Sequence, residues 1–296
     1  MKQACEPESE CSVSILSGLK GLGLGKLENM DIYEEEKKEQ KEQEKPTAAS
    51  AVHKIDEKDL IFDKSFVCPV CDSSFTAKIV KTGKAKLLGT DQDLRARYEG
   101  IDPAKYEVLL CPNCGYAALS RYFSGITSAQ AKLIREAISQ NVHINTYNNE
   151  VYSYEQAMER YKLTLVNAVV KKAKASEKAY ICLKSAWLVR GYAESLREAG
   201  KNDEKLLKNL AQQEAEYLEN AYKGFLDARQ TENFPMCGMD EITVDYLLAA
   251  LAVGNKKYDV ASKLVASLLT NNAASTRIKD KARDLKEQIL EDMKKQ

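Results

Sequence analysis

The chain has 296 residues, in which 44 lysines and arginines balance 44 aspartates and glutamates. This length allows one or two domains with a sizeable core, and the balanced charge gives no overall field that would draw the chain to nucleic acid or to a membrane surface. No apolar run is long enough to cross a bilayer, and the first residues lack the layout of a signal peptide. We therefore expect a cytoplasmic protein without a membrane partner, in a compartment where disulfides are uncommon.

Residues 1–57 are predicted to form a flexible tail ahead of the folded body. Residues 15–27, ILSGLKGLGLGKL, alternate leucine with glycine, which disfavours an independent helix. Residues 31–45 follow as a dense run of charge and glutamine, which is typical of solvated surface. The composition favours a tail that can be removed without loss of fold. Docking of the glycine–leucine segment on the body is the alternative.

Two Cys-Pro-x-Cys sequences with 39 residues between them dominate the next part of the chain. The first hook contains Cys68 and Cys71, and the second contains Cys111 and Cys114. Four thiolates in two such hooks can close a tetrahedral shell around one metal ion, most commonly zinc. We predict that these four cysteines bind Zn²⁺ as a structural site, with iron as the less favoured metal. Two disulfides, or one redox-active pair, are the alternative interpretations.

A short strand is predicted on the way into each hook, within residues 60–67 and 106–110, which is the layout of a zinc ribbon. Residues 75–80 alternate apolar and polar side chains and predict another strand. Gly115 follows the second hook directly, where a positive φ lets the chain turn back. Asp72 has the same place in the first hook and tolerates that conformation less well than glycine.

The segment between the hooks is predicted to contain a short helix over residues 91–98, capped by Asp91 or Asp93 and ending at Gly100. The two aspartates have two interpretations. One makes them a hard-cation or acid–base pair. The other, which is the more ordinary use of such residues, assigns them to helix capping and salt bridges.

Aromatic residues follow the second hook at Tyr116, Tyr122 and Phe123. They form either a stacking surface for nucleobases or, as we favour, a cover that packs the metal site against the following helices. Residues 64–125 carry nine lysines or arginines against six acidic residues. This excess is too small to predict phosphate binding, so nucleic acid is an alternative partner that the charge does not favour.

From Thr127 onward the apolar periodicity predicts helices. The first begins at Thr127 or Ser128, and the others cover about 153–175, 176–199, 203–230, 240–253, a segment from 258 onward, and 276–294. Two strings, at 153–161 and 257–265, share a tyrosine, an alanine three positions later and a bulky residue four positions after that. This pattern resembles the turn and second helix of a tetratricopeptide repeat.

The predicted fold is therefore mainly α. A small β zinc-ribbon-like head over residues 58–125 precedes antiparallel helix pairs of tetratricopeptide-like type over residues 126–296. The helices carry their own apolar stripes, so we expect them to keep most of their structure when the head loses its metal.

Several strings in the chain occur together in one family. They are the ribbon pattern CPVC…DxDLxxxY…DPxxY…CPNCGYA, the string SAWLVR at 185–190, and the C-terminal pattern around Tyr246 and Tyr258. With them the chain resembles a bacterial domain-of-unknown-function family, number 2225, over about residues 58–290. The resemblance implies a zinc-ribbon-like head on tetratricopeptide-like helices, and it carries no activity to transfer.

The predicted function is that of a bacterial structural-zinc protein that acts as a protein-interaction scaffold, with an unidentified protein or peptide bound on the helical face. The alternatives are a nucleic-acid-binding ribbon protein and a rubredoxin-like iron protein that transfers electrons, because paired hooks with prolines resemble such a site. We predict no enzyme activity, no catalytic residue and no further cofactor, since four cysteine ligands leave no open position on the metal.

Overall fold

The computed structural model of the protein describes Gly21, Gly23 and residues 25–27, 56–145 and 149–295. The predicted tail therefore lies almost entirely outside the described residues. Within the described part, six short strands precede seven α-helices, and the predicted mainly α fold class is confirmed. None of these helices combines the length and the apolar character needed to span a bilayer.

Three antiparallel hairpins make up the β part of the protein. The strands are β1 (Ile61–Val67), β2 (Ser74–Val80), β3 (Leu87–Thr90), β4 (Ala96–Tyr98), β5 (Val108–Leu110) and β6 (Ala117–Leu119). Strand β1 pairs with β2, β3 with β4, and β5 with β6. The first hook lies in the turn between β1 and β2, and the second lies in the turn between β5 and β6. The predicted strands leading into both hooks are confirmed.

The helix predicted over residues 91–98 is wrong. A tight turn begins at Asp91, Leu94 has a positive φ of 69°, and strand β4 follows. The Asp93 side chain accepts a hydrogen bond from the Arg95 backbone N–H at 3.4 Å, which is a turn contact. Aspartate at the start of a segment favours turns as well as helix caps. Here the charged side chains find their partners on a helix almost 100 residues later, which favours a turn followed by strand β4 over a helix.

The predicted helices are present, with small shifts at their ends. They are α1 (Ser128–Ile134), α2 (Tyr154–Val170), α3 (Ala175–Glu198), α4 (Glu204–Thr231), α5 (Glu241–Gly254), α6 (Tyr258–Thr270) and α7 (Thr276–Lys294). Side-chain oxygens cap several of them, and Thr127 before α1 and Ser153 before α2 each form a capping box with the glutamine three residues later. Helix α1 continues as a π-helical turn over Arg135–Ser139.

The long helices pack mainly on their neighbours in sequence. Helix α2 contacts α3, α3 contacts α4, and the order continues to α7, which also contacts α5. Stacking of this kind is typical of helical-repeat proteins. The alanines of the two repeat-like strings, Ala157 and Ala261, are fully buried, so they permit the close helix approach that the pattern requires. The tetratricopeptide assignment itself stays a prediction.

One continuous apolar core runs from the hooks into the helices. Cys68, Cys111 and Cys114 belong to the same cluster of buried residues as Trp187 in α3 and Leu285 in α7. Buried side chains from both sides of the predicted boundary at residues 125 and 126 therefore belong to one core.

Gly191 lies in the middle of α3, where the segment between the hooks comes closest to the helix. A Cβ atom on this residue would lie 2.3 Å from Asp102 Oδ2, 2.8 Å from Arg95 Nη2 and 3.1 Å from the Tyr154 hydroxyl. These distances are shorter than ordinary contacts, so only glycine permits this approach. Glycine weakens a helix, and here it lies where α3 contacts the segment between the hooks.

We expect Gly191→Ala to lower the free energy of unfolding by about 1–3 kcal/mol, because the added methyl group pushes Asp102 and Arg95 away from α3. Denaturant unfolding measures this change. The matched control is Gly254→Ala at the end of α5, where nothing lies within 4 Å of an added Cβ. This control should be neutral or slightly stabilising. Equal effects at both positions would contradict a requirement for close approach.

Candidate metal centre

The structure brings the sulfur atoms of all four predicted ligands together. The Sγ atoms of Cys68, Cys71, Cys111 and Cys114 lie within 4.8 Å of one another. Cys68 Sγ is 3.5 Å from Cys114 Sγ, and Cys71 Sγ is 3.6 Å from Cys111 Sγ. A tetrahedral zinc site with Zn–S bonds of about 2.3 Å places its sulfurs about 3.8 Å apart. The donor set and its spacing therefore fit a metal ion.

The same distances disagree with the disulfide interpretation. A disulfide joins its sulfurs at about 2.05 Å, and none of the six described cysteines forms one. Cys182 and Cys237, the other two described cysteines, lie outside the four-sulfur cluster.

The two hooks share one backbone geometry. In the first, the Cys68 N–H donates to Ser73 O at 3.0 Å, and the Asp72 N–H donates to Cys68 O at 2.9 Å. In the second, the Cys111 and Gly115 N–H groups make the corresponding bonds at 2.9 and 3.0 Å. Asp72 and Gly115 occupy the equivalent position, with positive φ values of 58° and 71°. This confirms the left-handed turn expected after the second hook and shows aspartate adopting it after the first.

Hydrogen-bond donors surround the sulfurs. The Val70 N–H donates to Cys68 Sγ at 3.4 Å, and Asn113 Nδ2 donates to Cys71 Sγ at 3.4 Å. Burial raises the pKa of Cys71, but hydrogen bonds from Asn113 and Ser73 outweigh it, so this pKa lies below its ordinary value. Donors of this kind stabilise a thiolate, which is the form that binds a metal.

The crowded thiols also shift one another. A hydrogen bond from Cys114 lowers the pKa of Cys111, and the same contact raises the pKa of Cys114. Not all four sulfurs can therefore carry a full negative charge without a neighbouring cation. A bound divalent ion supplies that charge and displaces the remaining protons.

Helices hold the hooks in place. Arg135 Nη1, in the π-helical turn after α1, donates to Val70 O in the first hook at 2.7 Å. Asn167 Nδ2 in α2 donates to Gly115 O at 3.1 Å. Just before β5, Glu107 accepts a hydrogen bond from Lys184 Nζ of α3 at 2.8 Å. Hydrogen bonds from the π-helical turn, α2 and α3 thus hold both hooks and the start of β5 against the helices.

The two hooks differ in how deeply they are covered. Val142 packs over Gly115, where an added Cβ would lie 2.5 Å from Val142 Cγ1. In the first hook, Asp72 is exposed and Cys71 is half-buried, whereas Cys111 in the second hook is fully buried. Since Cys68 and Cys114 are buried as well, Cys71 is the least covered of the four cysteines.

The aromatic residues after the second hook belong to the interior. Tyr116 and Phe123 are buried with ring centroids 5.0 Å apart, and Phe75 packs on Phe123 at 5.7 Å. The Tyr116 hydroxyl donates to Phe123 O at 3.0 Å. This burial agrees with the prediction that the aromatic residues cover the cysteine cluster. Buried rings cannot stack on nucleobases, so Tyr116 and Phe123 do not form a nucleic-acid surface. Tyr122 is half-buried beneath Arg121, whose guanidinium lies 5.6 Å from the ring centroid.

Asp91 and Asp93 lie in a cluster of charged side chains about the middle of α3. Arg190 Nη2 donates to Asp93 Oδ2 at 2.7 Å, and Arg190 Nη1 donates to Asp91 Oδ2 at 3.2 Å. Trp187 Nε1 donates to Asp93 Oδ2 at 3.0 Å, and Glu214 of α4 accepts from Arg190 Nε at 2.7 Å. The aspartates therefore serve in salt bridges and a turn contact, and a hard-cation site does not fit a pair already bound to arginine.

Burial raises the pKa of Asp93, but the ion pair with Arg190 outweighs it and holds this pKa below its ordinary value. Asp93 therefore stays ionised at neutral pH while buried. Its partners Trp187 and Arg190 were not predicted from the sequence, although both belong to the string SAWLVR. Nothing in the sequence near this string predicts a contact with residues nearly 100 positions earlier in the chain.

A family model described as an uncharacterized protein conserved in bacteria, DUF2225, matches residues 61–289. The match includes both hooks, the segment between them and the helices as far as most of α7. Comparisons with curated proteins and with solved structures found no match.

We expect metal removal to unfold head and helices together, because the hook cysteines and Trp187 share one core. Titration with a chelator should change Trp187 fluorescence and far-ultraviolet ellipticity in a single transition. The control is chelator already saturated with zinc, which should change neither signal. Helical ellipticity that persists after metal loss would instead support the separate helical domain predicted from the sequence.

We expect Arg190→Gln to destabilise the protein by about 3–5 kcal/mol, because it leaves buried carboxylates without their partner. Adding Asp93→Asn should recover part of this loss, which a double-mutant cycle measures by urea unfolding. The control is Arg283→Gln, which breaks an exposed pair with Asp280 and should cost less than about 1 kcal/mol. Additive effects of the Arg190 and Asp93 changes would contradict the coupling.

Proposed function

The chain belongs to the bacterial family DUF2225, and from that premise we propose that it is a structural zinc protein that acts as a scaffold for protein interactions. Its role is to hold a helical surface in one shape for a protein or peptide partner. It works in the reducing cytoplasm, because the four ligand thiols have to stay reduced.

The observation that carries the proposal is the convergence of four cysteine sulfurs within 4.8 Å of one another. Four thiolates complete the tetrahedral shell of a zinc ion and leave no position for water or substrate, which is the arrangement of structural sites. Each hook is also hydrogen-bonded to a helix, through Arg135 and Asn167. The metal therefore contributes shape to the whole protein and not only to the hairpins.

The stacked helices support the scaffold part of the proposal. Helices that pack in sequence order create extended surfaces on which partners bind. The last helix, α7, also exposes two apolar side chains. Leu290 and Met293, three residues apart, are about half exposed. Residues at this spacing share one face of a helix, so a partner can contact both.

Two alternatives have less support. The iron interpretation draws on the hydrogen bonds to Cys68 and Cys71, because N–H donors to sulfur also tune iron–sulfur potentials. The nucleic-acid interpretation loses Tyr116 and Phe123, which are buried. The nucleic-acid alternative assigns the helices only to assembly, and the electron-transfer alternative assigns them no role.

The test is the metal content and the partners of the full chain. Purified without chelator, the protein should contain one zinc per chain and be colourless. The variant Cys111→Ser should lose the metal, whereas Cys182→Ser, which changes a cysteine outside the cluster, should keep it. A red protein with stoichiometric iron would support electron transfer, and less than about half an equivalent of any metal would contradict the site.

Immobilised full chain should then capture a specific protein from a lysate of its own bacterium, with identification by mass spectrometry. Capture should weaken when Leu290→Ser and Met293→Ser are combined. Salt-dependent retention on heparin without protein capture would favour nucleic acid instead.

A further inference from the structure

A short N-terminal stretch of the chain lies against the body of the protein. Its described residues are Gly21, Gly23 and 25–27, which we call the strap, and Gly25–Leu27 form a single 3-10 turn. A Cβ atom on Gly23 would overlap Asn141 O and would lie 2.8 Å from His143 Nδ1. Gly23 therefore contacts the chain just beyond the π-helical turn that follows α1.

Two features of Gly23 require glycine. Its φ is 78°, in the left-handed region that other residues rarely adopt. The absence of a side chain also leaves room for Asn141 O, which is a main-chain atom and cannot rotate away as the end of a side chain would. Gly21, two residues earlier, has no described atom within 4 Å of an added Cβ. The close approach is therefore a property of Gly23 and not of every glycine in the strap.

The strap contacts the turn that covers the second hook. The N–H groups of Asn141 and Val142 both donate to Ile138 O at 3.0 Å, which closes this turn. The Val142 side chain packs over Gly115, the residue directly after the second hook. The two residues nearest to Gly23, Asn141 and His143, thus lie on either side of Val142 in the chain. Docking of the strap therefore restrains the residue that covers the hook.

We propose that the strap docks reversibly on residues 141–143 and thereby holds Val142 over the second hook. Docking within one chain is an intramolecular event, so a small contact is sufficient for it. A contact of this size also opens easily, since local opening requires far less free energy than unfolding of the whole protein. The strap is therefore a device that closes and opens the cover of one hook.

The consequence concerns how long the protein retains its metal. Complete release of a bound ion requires the second hook to open as well as the first, because each hook supplies two of the four sulfurs. A docked strap therefore slows metal loss, and an undocked strap permits it. The docking is inferred from the described contacts alone, whereas its effect on metal loss rests on the proposed zinc site. Two measurements separate these steps.

The first measurement is amide hydrogen exchange at Asn141 and Val142 in the full chain, followed by NMR. We expect Gly23→Ala to accelerate this exchange by about three-fold or more, because the added methyl group overlaps Asn141 O and displaces the strap. Gly23→Asn should do the same. Asparagine tolerates a positive φ, so this variant tests the overlap separately from the backbone strain. The matched control, Gly21→Ala, should exchange as the wild type does.

The second measurement is the rate at which the zinc-loaded full chain transfers zinc to a chromogenic chelator. Gly23→Ala should raise this rate by about three-fold or more, and Gly21→Ala should leave it unchanged. Val142→Ala should raise it as well, because it removes the cover directly. Combining Gly23→Ala with Val142→Ala should add little to Val142→Ala alone, since both changes act through the same side chain.

Unchanged exchange at Asn141 and Val142 in both Gly23 variants would overturn the proposal, and so would equal acceleration by Gly21→Ala. Fully additive effects of the Gly23 and Val142 changes on zinc transfer would overturn the link between the strap and the hook. A purified chain without zinc would refute the proposed metal site. Hydrogen exchange on that chain would still decide whether the strap docks.

Discussion

The meeting of four sulfurs is the constraint on which the rest of the structure depends. It joins Cys71 to Cys111 across the 39 residues between the hooks, so both ends of that segment are held at one point. Closing such a loop costs entropy that grows only slowly with its length, and the loop has to find contacts along its course. It finds them on α2, α3, α5 and α7. The hooks therefore decide where the segment starts and ends, and the helices decide its path.

The charged cluster under that segment contributes specificity more than strength. Buried ion pairs lose about as much in desolvation as they gain in attraction. A wrong alignment of Asp91 and Asp93 against Arg190 would nevertheless leave charges buried without partners, which is far more costly. The cluster thus excludes other alignments of the segment on α3. Gly191 also favours this alignment, because the absence of a side chain leaves room on α3 for Asp102 and Arg95.

Local sequence signals were sufficient for some parts of the protein and misleading for others. The hooks, the strands before them and the helix caps depend on residues a few positions apart, and all were predictable. The segment at residues 91–98 was not, because aspartates before a short polar run favour both helix caps and turns. Its actual partners, Trp187, Arg190 and Glu194, lie almost 100 residues later. The four ligands of the candidate site were named from spacing alone, whereas the charged cluster that positions the segment between them required the structure.

The four cysteines of the candidate metal centre differ in their access to solvent. Cys68, Cys111 and Cys114 are buried, whereas Cys71 is half-buried beside the exposed Asp72. Reagents in solution thus reach one sulfur of the four before the others. If the four cysteines hold an ion, Cys71 is the ligand that a competing thiolate in solution would meet first.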